Sequence, residues 1–275
     1  MSRSASRPST TRGNARAARW PGWAALLLGA AWAVLAHAPA SWIASTVAGA
    51  SAHRLLLCDS RGDWLDGSAR VVLSAGVQGR SASVLPGTLH WHIGLRQLWR
   101  GALQLRLSWP GLAEQPLRLQ AHAGIGGWSL QQSGAQPWQA SLPAVLLQGL
   151  GTPWNTLAPR GLVRLDLHGA RLRSSAGRLD VAGTLRVDAL AMSSRLSTVS
   201  PLGSYRLLLQ GAGATTAVTL RTLSGSLLLS GDGVWNGDRL QFSGIARAAA
   251  GREQELATLL GLLGQPQGDH VRIAL

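Results

Sequence analysis

From about residue 67 the chain repeats one phrase, a glycine followed by apolar and polar residues in alternation. In GALQLRLSW (101–109) Leu103, Leu105, Leu107 and Trp109 fall on one face, while Gln104, Arg106 and Ser108 fall on the other. In GLVRLDLHG (161–169) Val163, Leu165 and Leu167 turn inward, and Arg164, Asp166 and His168 turn outward. The segments 177–190, 203–211, 225–235 and 237–244 obey the same rule. A period of two marks a strand with one wet face. Glycines and short polar runs between the segments supply hairpin turns. So regular an alternation predicts antiparallel meanders rather than a parallel sheet covered on both sides. The expected fold is therefore mainly β: a curved, twisted antiparallel sheet with few short helices. An apolar sheet face must be covered, by curling, by a second sheet or by helices.

Helical spacing occurs in few places. SLPAVLLQGLG (141–151) offers Ser141 as an N-cap and Pro143 in a first turn. In GREQELATLLGLLG (251–264) Leu256, Leu259, Leu260 and Leu263 recur at i, i+3, i+4 and i+7. Glu253 and Glu255 stand at the end where the helix dipole favours negative charge, and Gly264 provides a left-handed stop. This closing helix is expected to lie as a lid over the last strands; docking to a partner or a membrane surface is the alternative. GTPWNTLAPRG (151–161), with its two prolines, reads as a linker, so an internal division near 141–160 would separate two sheet sections.

The amino terminus breaks the pattern. Arg3, Arg7, Arg12, Arg16 and Arg19 precede a stretch with no formally charged residue from Trp20 to His53. Trp20 and Trp23 mark one edge of the apolar run and Trp42 the other. At about 1.5 Å per residue that span is roughly 33 Å, enough for a bilayer core and part of its interface. The reading is a basic cytoplasmic tail (1–19), a transmembrane anchor (20–45) and an exported β-rich domain (46–275), oriented by the positive-inside rule. The rival is a cleaved signal peptide, with APA at 38–40 as the cleavage site. Both readings export the domain, and only the anchor ties it to the membrane.

Composition then removes chemistries. The 275 residues carry a net charge of +14, and every basic residue is arginine. Without lysine there is no P-loop lysine, no Schiff base and no Ser-x-x-Lys site. Five arginines lie in the tail with no acid among them, leaving +9 on the rest, a solvated basic face more than a nucleic-acid surface. The single Cys58 forms no intramolecular disulfide, and Leu57 before it does not suit a lipoprotein site. His90 and His92 share a strand face as two metal ligands would, but the other histidines are scattered. Asp59, Asp63 and Asp66 surround Trp64 without EF-hand spacing, which favours a tight turn over a calcium loop. Trp91, Trp99, Trp109, Trp128, Trp138, Trp154 and Trp235 lack the basic interleaving of a nucleic-acid platform and are expected in the core or at the sheet rim. The sequence names no catalytic, cofactor-binding or metal-ligating residue and points away from an enzyme.

Several segments carry a resemblance. Gly62, Trp64 and Gly67 form a tryptophan–glycine turn; LPGTLHWHI (85–93) is a tryptophan-containing strand; PLGSYRLLLQG (201–211) is a Leu-Gly-x-Tyr strand. The ending 223–264 joins a glycine-rich strand pair, a strand with Phe242, a small-residue link and the leucine helix. In this order, from Trp20 onward, the chain resembles the type II secretion system protein N family. The resemblance implies a non-enzymatic inner-membrane protein that assists the machinery exporting folded proteins, with other inner-membrane and periplasmic components as partners. The family is also similar to the wider AsmA-type group, whose curved sheets form lipid grooves. That implies, as the alternative, a periplasmic lipid-binding or envelope-bridging module.

Overall fold

The alternation becomes ladders. The computed structural model describes residues 38–275, apart from 125, 135, 176–177, 237–238, 264, 268–269 and 275. The predicted tail, anchor residues 20–37 and the Gly264 stop lie outside the described residues. The first described element is helix α1 (Ser41–Ala50). The first half of the sheet comprises β1 (Leu55–Gly62), β2 (Asp66–Ser74), β3 (Ala82–Val84), β4 (Leu89–Gly94), β5 (Ala102–Ser108), β6 (Leu117–Gly124), β7 (Gly127–Gln132) and β8 (Trp138–Pro143). After a 3-10 segment (Ala144–Leu150) and helix α2 (Trp154–Leu157) come β9 (Arg160–Ser175), β10 (Arg178–Ser193), β11 (Gly203–Gly213), β12 (Thr216–Gly225), β13 (Leu227–Trp235) and β14 (Leu240–Ala248). Helix α3 (Glu253–Leu263), β15 (Gln265–Gln267) and β16 (His270–Ala274) close the chain.

All sixteen strands belong to one antiparallel sheet, in the order β1-β2-β4-β5-β6-β7-β9-β10-β11-β12-β13-β14-β16-β15, with β3 on β2 and β8 on β9. The register shows why alternation dictates it. Along β10, Leu185, Val187 and Ala189 pair with Leu167, Leu165 and Val163 on one side, and with Leu209, Leu207 and Tyr205 on the other. These rows make a continuous apolar face. One residue out of phase, Asp188 lies between Arg164 and Arg206, and Arg186 lies opposite Asp166. A slip of one residue would exchange the two sets, so burial of the apolar face fixes the register.

The expected linker and division at 141–160 take another form. β9 is long enough to take two partners on one edge: residues 162–167 pair with β8, and residues 171–175 pair with β7. The hydrogen-bonded sheet therefore runs on past this stretch unbroken. The helix expected from Ser141 begins later and is a 3-10 segment. Ser141 is in β8, where its N–H donates to the Leu112 carbonyl at 2.8 Å, and Pro143 is extended (φ −60°, ψ 130°). Pairing with β9 through Pro143 holds these residues in the sheet against their local helical spacing.

The last residues of the predicted anchor belong to the folded domain. Pro39 forms a β-bridge with Asp63, the Ala40 N–H donates to the Gly62 carbonyl, and Ala40 is buried against Ala69 and Trp91. Among the described residues no helix is long and apolar enough to cross a membrane.

The closing helix forms as expected. Gly251 takes a positive φ of 78° ahead of it, Glu253 and Glu255 occupy its first turn, and Arg252 pairs with Glu255 at 2.8 Å. Leu256 is fully buried and Leu259 nearly so, packed with Val199, Leu202, Tyr205 and Leu227; Leu260 adds partial cover. The helix is a lid over the inner face around β11 and β13.

Candidate functional site

The described helical segments do not cover the inner face fully. Between them lies an apolar trough of about 960 Å³. Its walls come from α1 (Ile43, Val47), from β1, β2, β4 and β5, from the 3-10 segment, from β8 to β13, and from α3 (Leu259). The alternation built it: the inward residues Leu105, Leu107, Val163, Leu165, Val187 and Leu207 are the wall.

Polar atoms in the wall are turned to other tasks. The Trp109 indole N–H donates to the Pro86 carbonyl and that of Trp138 to the Gln115 carbonyl, both at 3.0 Å, leaving ring carbon toward the trough. Tyr205 donates its hydroxyl to the Leu227 carbonyl at 3.1 Å, and burial holds its pKa well above the usual phenol value. Trp91, also in the wall, is buried over Gly67, and among the described residues its Nε1 has no hydrogen-bond partner. The wall turns polar only at Ser193 and Ser194. Ser193 shares a hydrogen bond with Ser200, and Ser194 donates to the Leu157 carbonyl at 2.7 Å.

Of the residues weighed from sequence, the fold brings His92 and Asp66 together as ladder partners and places the others apart. His90 and His92 are exposed on one face of β4, flanking buried Trp91. His92 Nδ1 lies 3.3 Å from Asp66, and His90 faces Ser68 and Ser108 across the ladders. Asp63 makes the tight turn, its Oδ1 accepting from the N–H groups of Leu65 and Asp66 at 2.9 and 2.7 Å. Asp59 faces Arg70 at 3.5 Å. Each carboxylate is therefore engaged on its own. Cys58 is exposed. Of the tryptophans, Trp91 is core, and Trp109, Trp138 and Trp154 line the trough. Trp99 is exposed outright, with the Arg100 guanidinium stacked 4.2 Å above its ring.

Sequence reading did not locate the trough. Its signal was quantitative: ten of the sixteen strands contribute inward apolar residues, while the described helical segments are too few and short to cover them. Among the described residues this apolar surface is left uncovered.

Fold and site together define an open-sheet β protein built around an apolar trough. The chain belongs to the type II secretion system protein N family, whose model matches residues 53–273. That match runs from two residues before β1 to the penultimate residue of β16, so it covers nearly the whole sheet. Membership ties the protein to type II secretion, in a family of machinery components rather than of known enzymes. No curated protein and no solved structure shows significant similarity to the chain.

Proposed function

We propose that the protein is a non-enzymatic component of the type II secretion pathway, anchored in the inner membrane by its amino-terminal segment, with the β-sheet domain in the periplasm. In this role it assists assembly or operation of the machinery that exports folded proteins. The observation that carries the reading is the family match across residues 53–273. The basic residues before Trp20 and the uncharged stretch after it support the orientation. The separate engagement of Asp59, Asp63, Asp66 and His92 supports a structural rather than chemical use of these groups.

Photocrosslinking from the exposed sheet face, in cells carrying the intact machinery, tests the role. Crosslinks to inner-membrane or periplasmic secretion components are expected; none from any position would refute it. Protease added to spheroplasts should degrade the domain while sparing the tail, and a protected domain would overturn the topology.

A further inference from the structure

We propose that the sheet edge beside Pro39 is a membrane-contacting rim, whose hairpin turns set exposed tryptophans and arginines among the headgroups of a bilayer. The inference deepens the inner-membrane reading and rests on the anchor proposed above.

Topology collects the turns. Gly62 pairs with Gly67, Asp66 with His92 and Ala102 with His122. Gly127 pairs with Ser175, Val181 with Gly213 and Trp235 with Thr216. The turns β1–β2, β4–β5, β6–β7, β9–β10, β11–β12 and β13–β14 therefore open on one edge of the sheet. Because α1, β1 and β13 line the same trough, the sheet curls and draws this edge into a rim. Pro39 joins the domain there, bridged to Asp63 in the first of these turns. Pro39 lies three residues after Ala36, the end of the uncharged apolar run 23–36, a step of at most roughly 10 Å along the chain.

Exposure selects the partner. Five tryptophans are exposed among the described residues, and four of them stand at this edge. Trp42 is in the first turn of α1, Trp99 lies between β4 and β5, Trp128 is near the start of β7 and Trp235 ends β13; Trp154 alone lies toward the opposite edge. Indole joins a broad apolar surface to one N–H donor and is favoured where hydrocarbon meets water, at the level of bilayer headgroups. Arg96, Arg100 and Arg239 are exposed in the same turns, and Arg100 stacks 4.2 Å over Trp99. A guanidinium held in this way donates to phosphate oxygens while its stem lies along the ring. Of the acids near these turns, Asp63 accepts from the N–H groups of Leu65 and Asp66, Asp66 faces His92, and Asp238 neighbours Arg239 in the sequence. A protein partner would draw its aromatic anchors into one packed centre. Here they are spread singly from turn to turn, which suits an extended surface such as a bilayer.

The test uses the full chain with Cys58→Ser, so that one introduced thiol carries a fluorophore. It is placed in vesicles of phosphatidylethanolamine and phosphatidylglycerol that contain lipid spin-labelled at the headgroup as quencher. Trp99→Cys and Trp235→Cys report on the rim, and Val77→Cys, exposed between β2 and β3 at the opposite edge, is the control. Quenching at positions 99 and 235 is expected to exceed that at 77 by about threefold. If one rim label unfolds the chain, the other decides. Equal quenching at rim and control, in chains that melt like the wild type, overturns the rim and leaves this edge to a protein partner. Quenching is read at neutral pH, and the vesicles are then washed at alkaline pH. A chain washed away after showing the expected quenching sinks the anchor and keeps the rim; one that stays but shows equal quenching sinks the rim and keeps the anchor.

Discussion

Asp188 is buried on the outer face of β10, where Arg206 grips its carboxylate through Nε and Nη2 at 2.7 and 2.8 Å. That hydrogen-bonded contact, opposed by desolvation and aided by the charges of Arg206, Arg186 and Arg164, holds its pKa below the usual carboxylate range. Because the folded value lies below the unfolded one, the stabilisation is complete above about pH 4 and is lost as pH falls through the folded value. Asp188→Asn should cost about 1–2 kcal/mol at pH 7, and thermal melts below pH 4 should show the gap to wild type closing. Gly67 carries a different constraint. The indole of Trp91 lies where a Cβ would stand, so Gly67→Ala should destabilise by roughly 1–3 kcal/mol, read as a lowered denaturant midpoint. The outward position of Arg164 and Asp166 was legible from alternation alone. Their partners were not, because pairing depends on register, and register shifts at bulges such as the one between Ala189 and Met192.

Among the elements, α3 was the most legible, because the leucine spacing and the acids at its start agree. Leu256→Ala should cost about 2–5 kcal/mol in chemical denaturation, as for a leucine buried without exposure. Leu260→Asp should lower the melting temperature by less than Leu256→Asp would, since Leu260 is only half-buried. The 141–151 segment was misread for a physical reason. Its helical spacing is real, but pairing with β9 claims residues through Pro143 for the sheet before any helix begins. Short apolar runs have no local feature that decides between a strand and a turn of helix. The sheet partner decides it.

For the molecule as a whole, alternation announced an antiparallel meander and the structure is one. The continuity of the sheet was hidden, because it rests on β9 serving two partners on one edge. The trough was hidden too: it is a shortfall of cover, visible only once every inward residue is placed. Protection in the sheet should grade with position. In hydrogen exchange β10, paired along nearly its whole length on both sides, should be the slowest strand, and β1 and β15, at the two ends of the order, the fastest. Uniform exchange across the sheet would contradict this.

Nearly every strand pairs with the one just before or after it in the chain. A polypeptide delivered amino end first can therefore complete each hairpin against a template already in place, without waiting for distant sequence. Such nearest-neighbour growth keeps contact order low for a β protein and shortens the time any edge stands bare. It also makes length adjustable: adding or deleting one hairpin would lengthen or shorten the channel by a fixed step and leave the rest of the architecture as it is.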